Sequence, residues 1–107
     1  MERFGVKALR HSDIVKPEVS RVAVCTGAGA SLIDVARESG ADIYLTADLK
    51  YNDFMRHENR IILADMGHFE SEYCAIQILF DILSKKLCIF AVRKSVCSRN
   101  PVSYMTR

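Results

Sequence analysis

Ile61-Ile62-Leu63-Ala64-Asp65-Met66-Gly67-His68-Phe69-Glu70-Ser71-Glu72 joins a short apolar run to a polar loop and the start of a helix. Residues 61–64 have the length of a buried strand, and the apolar pattern from Tyr73 to Leu83 is helical. A strand that feeds a helix through so short a loop is the unit of a parallel sheet, because parallel neighbours need a crossover. Two similar units lie upstream. Arg21-Val22-Ala23-Val24-Cys25 reads as a buried strand, Thr26-Gly27-Ala28-Gly29-Ala30 turns the chain, and Ser31 is placed to cap a helix through Glu38 that Gly40 closes. Ile43-Tyr44-Leu45-Thr46 is the second strand, followed by a helix over residues 50–58. After the longest helix, residues 69–85, Leu87-Cys88-Ile89-Phe90-Ala91-Val92 reads as a fourth strand and residues 93–107 as a polar C-terminal tail. A further strand is expected near residues 6–9. The expected fold is a single α/β domain over residues 1–107, three layers thick, with a mostly parallel sheet and helices on both faces. Strands 22–25, 43–46 and 61–64 should be parallel and adjacent.

Tyr73, Cys74, Ala75, Ile76, Ile78, Leu79, Phe80, Ile82 and Leu83 leave the long helix only a narrow polar face at Gln77 and Asp81. A helix that apolar is expected to be buried on two sides, one on the sheet and one against another subunit or a missing piece of the protein. The chain is therefore expected to form a homo-oligomer, at least a dimer. At 107 residues and 50% hydrophobic it can bury one ample core. Its net charge of +2 comes from 15 basic and 13 acidic residues spread along the sequence, so nucleic acid is not an expected partner. Met1-Glu2-Arg3-Phe4 opens no apolar segment, and no run nears the ~20 residues of a membrane span. No membrane partner is expected. Cys25, Cys74, Cys88 and Cys97 lack Cys-x-x-Cys spacing and read as reduced thiols in a cytoplasmic protein.

In an open parallel sheet, ligands gather at the carboxyl ends of the strands. Three polar loops converge there. Thr26, Gly27 and Gly29 in the first either present N–H groups to an anion or make a tight turn under close helix–sheet packing. That loop lacks the third glycine of a dinucleotide fingerprint and the Gly-Lys-Ser/Thr of a P-loop. The second offers Asp48, Lys50, Tyr51 and Asp53 as acid–base or substrate groups, or else Asp48 caps a helix while Lys50 and Asp53 are solvated. In the third, His68 and Glu72 stand four apart, which on a helix puts their Cβ atoms about 5–6 Å from each other. They can reach one ion or two adjacent ions, although an acid in a first turn also complements the helix dipole. Two ligands do not complete a site, since zinc takes about four and harder ions about six. His11 and His57 have no neighbouring ligand types and read as surface or packing residues.

Three segments occur in order: Val22-Ala23-Val24-Cys25-Thr26-Gly27-Ala28-Gly29-Ala30-Ser31-Leu32-Ile33, Ile43-Tyr44-Leu45-Thr46-Ala47-Asp48-Leu49-Lys50-Tyr51-Asn52-Asp53, and Asp65-Met66-Gly67-His68-Phe69-Glu70-Ser71-Glu72. Together they resemble the C-terminal part of the GTP cyclohydrolase 1 type 2 homologue family, the hexameric dinuclear-metal-centre proteins also called Nif-three-like. Asn100-Pro101-Val102-Ser103-Tyr104 is similar to that family's end, and the likeness runs from about Arg10 onward.

The resemblance implies that His68 and Glu72 match the family's two C-terminal metal ligands. Its other ligands, a His-His pair and an aspartate, come from the N-terminal half, and no His-His pair occurs here. The chain is thus expected to be a C-terminal fragment of a larger protein. It also departs from the family pattern. Thr46-Ala47-Asp48 stands for Thr-Gly-Asp, and Lys50-Tyr51-Asn52-Asp53 for Lys-Tyr-His-Asp, so Asn52 removes an ionisable group. The implied cofactors are divalent ions (zinc, manganese or iron), held weakly or not at all by this piece alone. The implied activity is metal-dependent hydrolysis of a nucleotide-like substrate, as in purine-ring opening, once the missing half is supplied. The alternatives are a non-catalytic metal-binding regulatory or scaffold module, or an inactive half-protein that needs a separate N-terminal partner. No catalytic residue is assigned.

Overall fold

Short runs of Val, Ile and Leu build the sheet. In the computed structural model, which describes residues 2–107, the strands are β1 (Arg10–His11), β2 (Val22–Ala28), β3 (Ile43–Ala47) and β4 (Ile62–Asp65). The helices are α1 (Ile33–Glu38), α2 (Tyr51–Phe54), α3 (His68–Glu72) and α4 (Cys74–Lys86). The sheet order is β1-β4-β3-β2. As expected, β2, β3 and β4 are adjacent and parallel, with Ala23 opposite Tyr44 and Tyr44 opposite Leu63. The fold is mixed α/β.

Side chains alternate across the sheet, so each register row belongs to one face. The row Ala23, Tyr44 and Leu63 packs with Ile33 and Ala36 of α1 and with Ala41, Leu49 and Ile61 to form the core. The opposite face carries Val22, Ile43 and Ile62, then Val24, Leu45 and Ala64. Its cover thins toward β2: Ile62 is 5% exposed, whereas Val22 and Val24 are 50% and 51% exposed.

Several expected boundaries move. The strand near residues 6–9 lies instead at Arg10–His11, antiparallel to β4. Thr26, Gly27 and Ala28 extend β2 rather than turning the chain, and Gly27 at φ +67° absorbs a register shift between Val24 and Ala28. Ser31 does not cap α1. It sits inside a 3₁₀ turn, Ala30–Leu32, that leads into the helix. The helix expected over residues 50–58 is α2 plus a 3₁₀ turn, Met55–His57, ended by the left-handed residues Glu58 and Asn59.

Two corrections are larger. Residues 87–92 form a turn and extended chain, not a strand; Ile89 is 85% exposed. The edge of β4 is taken by β1, and the segment pairs with neither of the sheet's open edges, β1 or β2. The long helix also fails to bury two sides. It is nearly continuous through Tyr73, and no residue of α4 is buried; Ile78, Leu79, Ile82 and Leu83 all face solvent. Within this chain α4 has no sheet face beneath it, and the molecule is elongated, 53 × 36 × 24 Å. No described helix is long and apolar enough to cross a membrane.

Candidate metal-binding half-site

Asp65, at the last residue of β4, holds the site's framework together. Its carboxylate, 5% exposed, accepts the Leu49 N–H and the Gly67 N–H, both at 3.0 Å, and pairs with the Arg10 guanidinium. One buried carboxylate thus ties the loop after β3 to the loop after β4, with charge and hydrogen bonds offsetting its desolvation. Ser71 does similar work from α3. It is fully buried, accepts the Gly27 N–H at 2.8 Å and donates to the His68 carbonyl at 2.8 Å.

His68 begins α3 directly after Gly67, whose φ of +92° is one that side-chain-bearing residues rarely adopt. A Cβ there would also meet the Glu70 carboxylate. His68 Nε2 faces Glu72 Oε2 at 3.1 Å, and His68 Nδ1 meets Asp48 Oδ2 at 2.5 Å. All three side chains are about half exposed. Asp48 takes a left-handed conformation, φ +56°, which aspartate tolerates better than most residues and which turns the loop after β3 toward His68. The Asp48 hydrogen bond raises the His68 pKa above its usual value, outweighing burial, and the Glu72 charge adds to it. In the metal-free chain the imidazole is therefore biased toward the cation between two carboxylates.

The structure thus brings Asp48, His68 and Glu72 together at the carboxyl end of the sheet. Gly27 belongs here too, since a Cβ on it would meet Glu72 and His68. Gly29 lies deeper, where the space of a Cβ is filled by Thr46 and Tyr44, and the Tyr44 hydroxyl donates to the Gly29 carbonyl at 2.8 Å. Thr26 is exposed on β2. Lys50, Tyr51 and Asp53 are set apart: the Lys50 N–H donates to Asp53 at 2.8 Å, and Tyr51 borders a different hollow with His11 and His57. His11 Nδ1 lies 2.7 Å from the Ser12 carbonyl, and His57 Nδ1 accepts the Asn59 N–H at 2.9 Å.

A cavity of about 610 Å³ opens beside His68 and Glu72. Part of its wall is the tail, where Asn100 Nδ2 donates to Glu70 Oε1 at 2.9 Å. Tyr104 lies there too; burial raises its hydroxyl pKa, and the Glu70 charge adds to the rise. Sequence reasoning assigned no role to Asp65, Ser71, Glu70 or Tyr104. An aspartate ending an apolar run and a serine on the inner face of a helix start were the available signals for the first two.

The profile of the Duf34/NIF3 family (NGG1p interacting factor 3) matches residues 1–101. The chain belongs to this family. It is 36% identical over 104 residues to the GTP cyclohydrolase 1 type 2 homolog of Campylobacter jejuni, covering 96% of this chain and 41% of that one. The homolog from a Nostoc species is 42% identical over 66 residues, 61% of this chain and 25% of that one. A Bacillus cereus protein related to NIF3 shares the fold at a TM-score of 0.78 and 23% identity, over 97% of this chain and 30% of that one. This Duf34/NIF3 chain therefore spans about two-fifths of its Campylobacter relative. The family's metal reading can be tested on the residues present. Two donors, His68 Nε2 and Glu72 Oε2, face each other, and a carboxylate backs the second ring nitrogen. That is the arrangement by which an outer carboxylate orients a metal-bound imidazole. Among the described residues no group of three or more His, Cys, Asp or Glu is placed to hold an ion, so the pair alone does not make a complete site.

Proposed function

We propose that this chain supplies one half of a metal centre, which a further polypeptide segment completes. His68 and Glu72 would hold the divalent ion (zinc, manganese or iron), and Asp48 would orient the imidazole through Nδ1. The observation that carries the reading is the Asp48–His68–Glu72 line, with both ring nitrogens engaged at 2.5 and 3.1 Å. A lone pair of donors leaves most positions to water, so binding by the chain alone is weak. The ion must also displace a proton that Asp48 and Glu72 help to retain.

When bound, such ions lower the pKa of water and polarise an electrophilic carbon, which suits hydrolysis of a nucleotide-like ring. This chain's own residues position and shape the site: Asp65 fixes both loops, Ser71 fixes His68, and the tail walls the cavity. The uncovered apolar faces of α4 and β2 support a second element of the reading, an assembly that adds at least one more chain, whether another copy or the missing N-terminal half. They equally suit a metal-binding scaffold without turnover.

Calorimetric titration with Zn²⁺ tests the ligand assignment, using the chain mixed with a polypeptide carrying the N-terminal part of the Campylobacter relative. His68→Ala and Glu72→Ala should each weaken binding by at least about the 10–100-fold typical of outer-shell losses. Wild-type affinity in both variants would contradict the assignment.

A further inference from the structure

The C-terminal tail runs past the site without joining the sheet. From residue 91 onward it has no helix or strand, and among the described residues no backbone–backbone hydrogen bond ties residues 91–107 to the rest of the chain. Two side-chain hydrogen bonds fasten it instead. Lys94 Nζ donates to Gln77 Oε1 of α4 at 2.6 Å and lies 5.1 Å from the centre of the Phe80 ring. Asn100 Nδ2 donates to Glu70 Oε1 of α3 at 2.9 Å.

The second fastening is the one at the site. Asn100 Oδ1 accepts the Val102 N–H at 2.9 Å, a local turn that leaves the Nδ2 group free to reach α3. Gly67 makes room for the acceptor: the Glu70 carboxylate and the Tyr104 hydroxyl both lie close to where a Cβ on Gly67 would stand. Glu70 thus folds back over the start of α3, and the tail closes on it.

Empty space lies on both sides of this part of the tail. Pro101, Val102 and Tyr104 wall the cavity of about 610 Å³ beside His68 and Glu72. A second hollow, of about 560 Å³ and bounded by Phe4 and Lys7, also lies against Asn100, Val102 and Tyr104. Residues 100–104 therefore partition two hollows, and Val102 and Tyr104 are 57% and 43% exposed. A segment so thinly packed is held by its fastenings rather than by burial, and a hydrogen bond to a carboxylate is a strong one.

We infer that residues 98–104 form a detachable strap over the cavity beside His68 and Glu72, and that the Asn100–Glu70 bond is its latch. Latched, the strap closes one wall of the cavity and pins the first turn of α3. Released, it joins the two hollows and opens the His68–Glu72 side from the direction of Phe4 and Lys7. The inference goes beyond the proposed metal centre and rests on it only for what the opened cavity serves.

The latch can be broken and rebuilt. In Asn100→Asp the side chain still accepts the Val102 N–H, but it loses its donor and sets a carboxylate against Glu70. Adding Glu70→Gln supplies an amide donor from the other side and restores a bond of the same kind. Nuclear magnetic resonance relaxation of the metal-free 107-residue chain reads the outcome. The amides of residues 102–104 should be as ordered as the strands in the wild type, with order parameters of about 0.85, and fall below about 0.6 in Asn100→Asp. A gadolinium chelate in solution should then broaden the Phe69 and Tyr73 ring resonances more strongly than in the wild type. The double variant should return both signals to their wild-type values. The core resonances of Ile33 and Leu63 should hold their positions in all three chains. A wild-type strap as mobile as Arg107, an ordered strap in Asn100→Asp, or a double variant that stays mobile would each overturn the inference. Loss of the core resonances in Asn100→Asp would overturn it too, since the tail would then be part of the fold. No ion is present, so such a failure is distinct from failure of the metal assignment, which the zinc titration reads alone.

Discussion

Asp48 and Asp42 show how single carboxylates in this chain are given different work by their surroundings. Asp48 is half exposed and spends its hydrogen bond on His68 Nδ1, so its influence runs through the imidazole. Asp48→Asn should therefore weaken zinc binding in the completed site by about 10–100-fold, less than loss of His68 itself, as read by calorimetry. The same change should bring the His68 pKa, followed by nuclear magnetic resonance in the metal-free chain, back toward its usual value. Asp42 has a structural post. It accepts Lys16 Nζ at 2.6 Å, the Ser20 N–H at 2.9 Å and the Arg21 N–H at 2.8 Å, tying the segment before β2 to the start of β3. The Lys16 bond, followed by the two backbone donors, holds its pKa far below the carboxylate range. A depressed folded-state pKa gives stability that is present above the unfolded value of about 3.9 and lost as the pH falls through the folded one. The stability gap between wild type and Asp42→Asn should accordingly be full at pH 6 and shrink as acid titration proceeds below about pH 4. A gap independent of pH would show that Asp42 acts by shape alone.

The strands and helices divide into those whose partners lie inside the chain and those whose partners do not. Ile33 of α1 is fully buried against the sheet, and Ile33→Ala should cost about 2–5 kcal/mol in urea unfolding. Ile82 of α4 is 45% exposed. Ile82→Ser should leave the isolated chain's stability within about 0.5 kcal/mol, yet weaken any assembly measured by light scattering. The same division explains what the sequence could say. β2, β3 and β4 were legible because runs such as Ile61-Ile62-Leu63-Ala64 are strand-length, apolar and joined to helices by short loops. Residues 87–92 have equal β-propensity but pair with no strand, the place beside β4 being held by β1 and the open edge of β2 left unpaired. The burial of α4 was misread for a related reason: an apolar helix reports that a partner is needed, not that this chain contains it. At the site, spacing of four exposed the His68–Glu72 pair. The Asp48 contact depends on a left-handed turn, and the Glu70–Asn100 bond joins residues 30 apart in sequence, so neither had a local signature.

Taken whole, the molecule is a four-stranded sheet with a site at its carboxyl end and exposed apolar surface on β2 and α4. It covers 41% of its Campylobacter relative, and among the described residues His68 and Glu72 have no third His, Cys, Asp or Glu placed with them to hold an ion. Open surface and a lone donor pair are both what the proposed half-site reading expects. A segment that covers the apolar faces would also bring donors to the carboxyl end of the sheet, where Gly27 lies against His68 and Glu72. Assembly and metal affinity should then be coupled, each strengthening the other. The direct measurement is a zinc titration of the wild-type chain, by calorimetry, with and without the N-terminal part of the Campylobacter relative. The half-site account predicts weak or undetectable binding by the chain alone and affinity about 100-fold or more higher in the mixture. Equally tight binding by the chain alone, or no gain on mixing while the two polypeptides demonstrably associate, would contradict it.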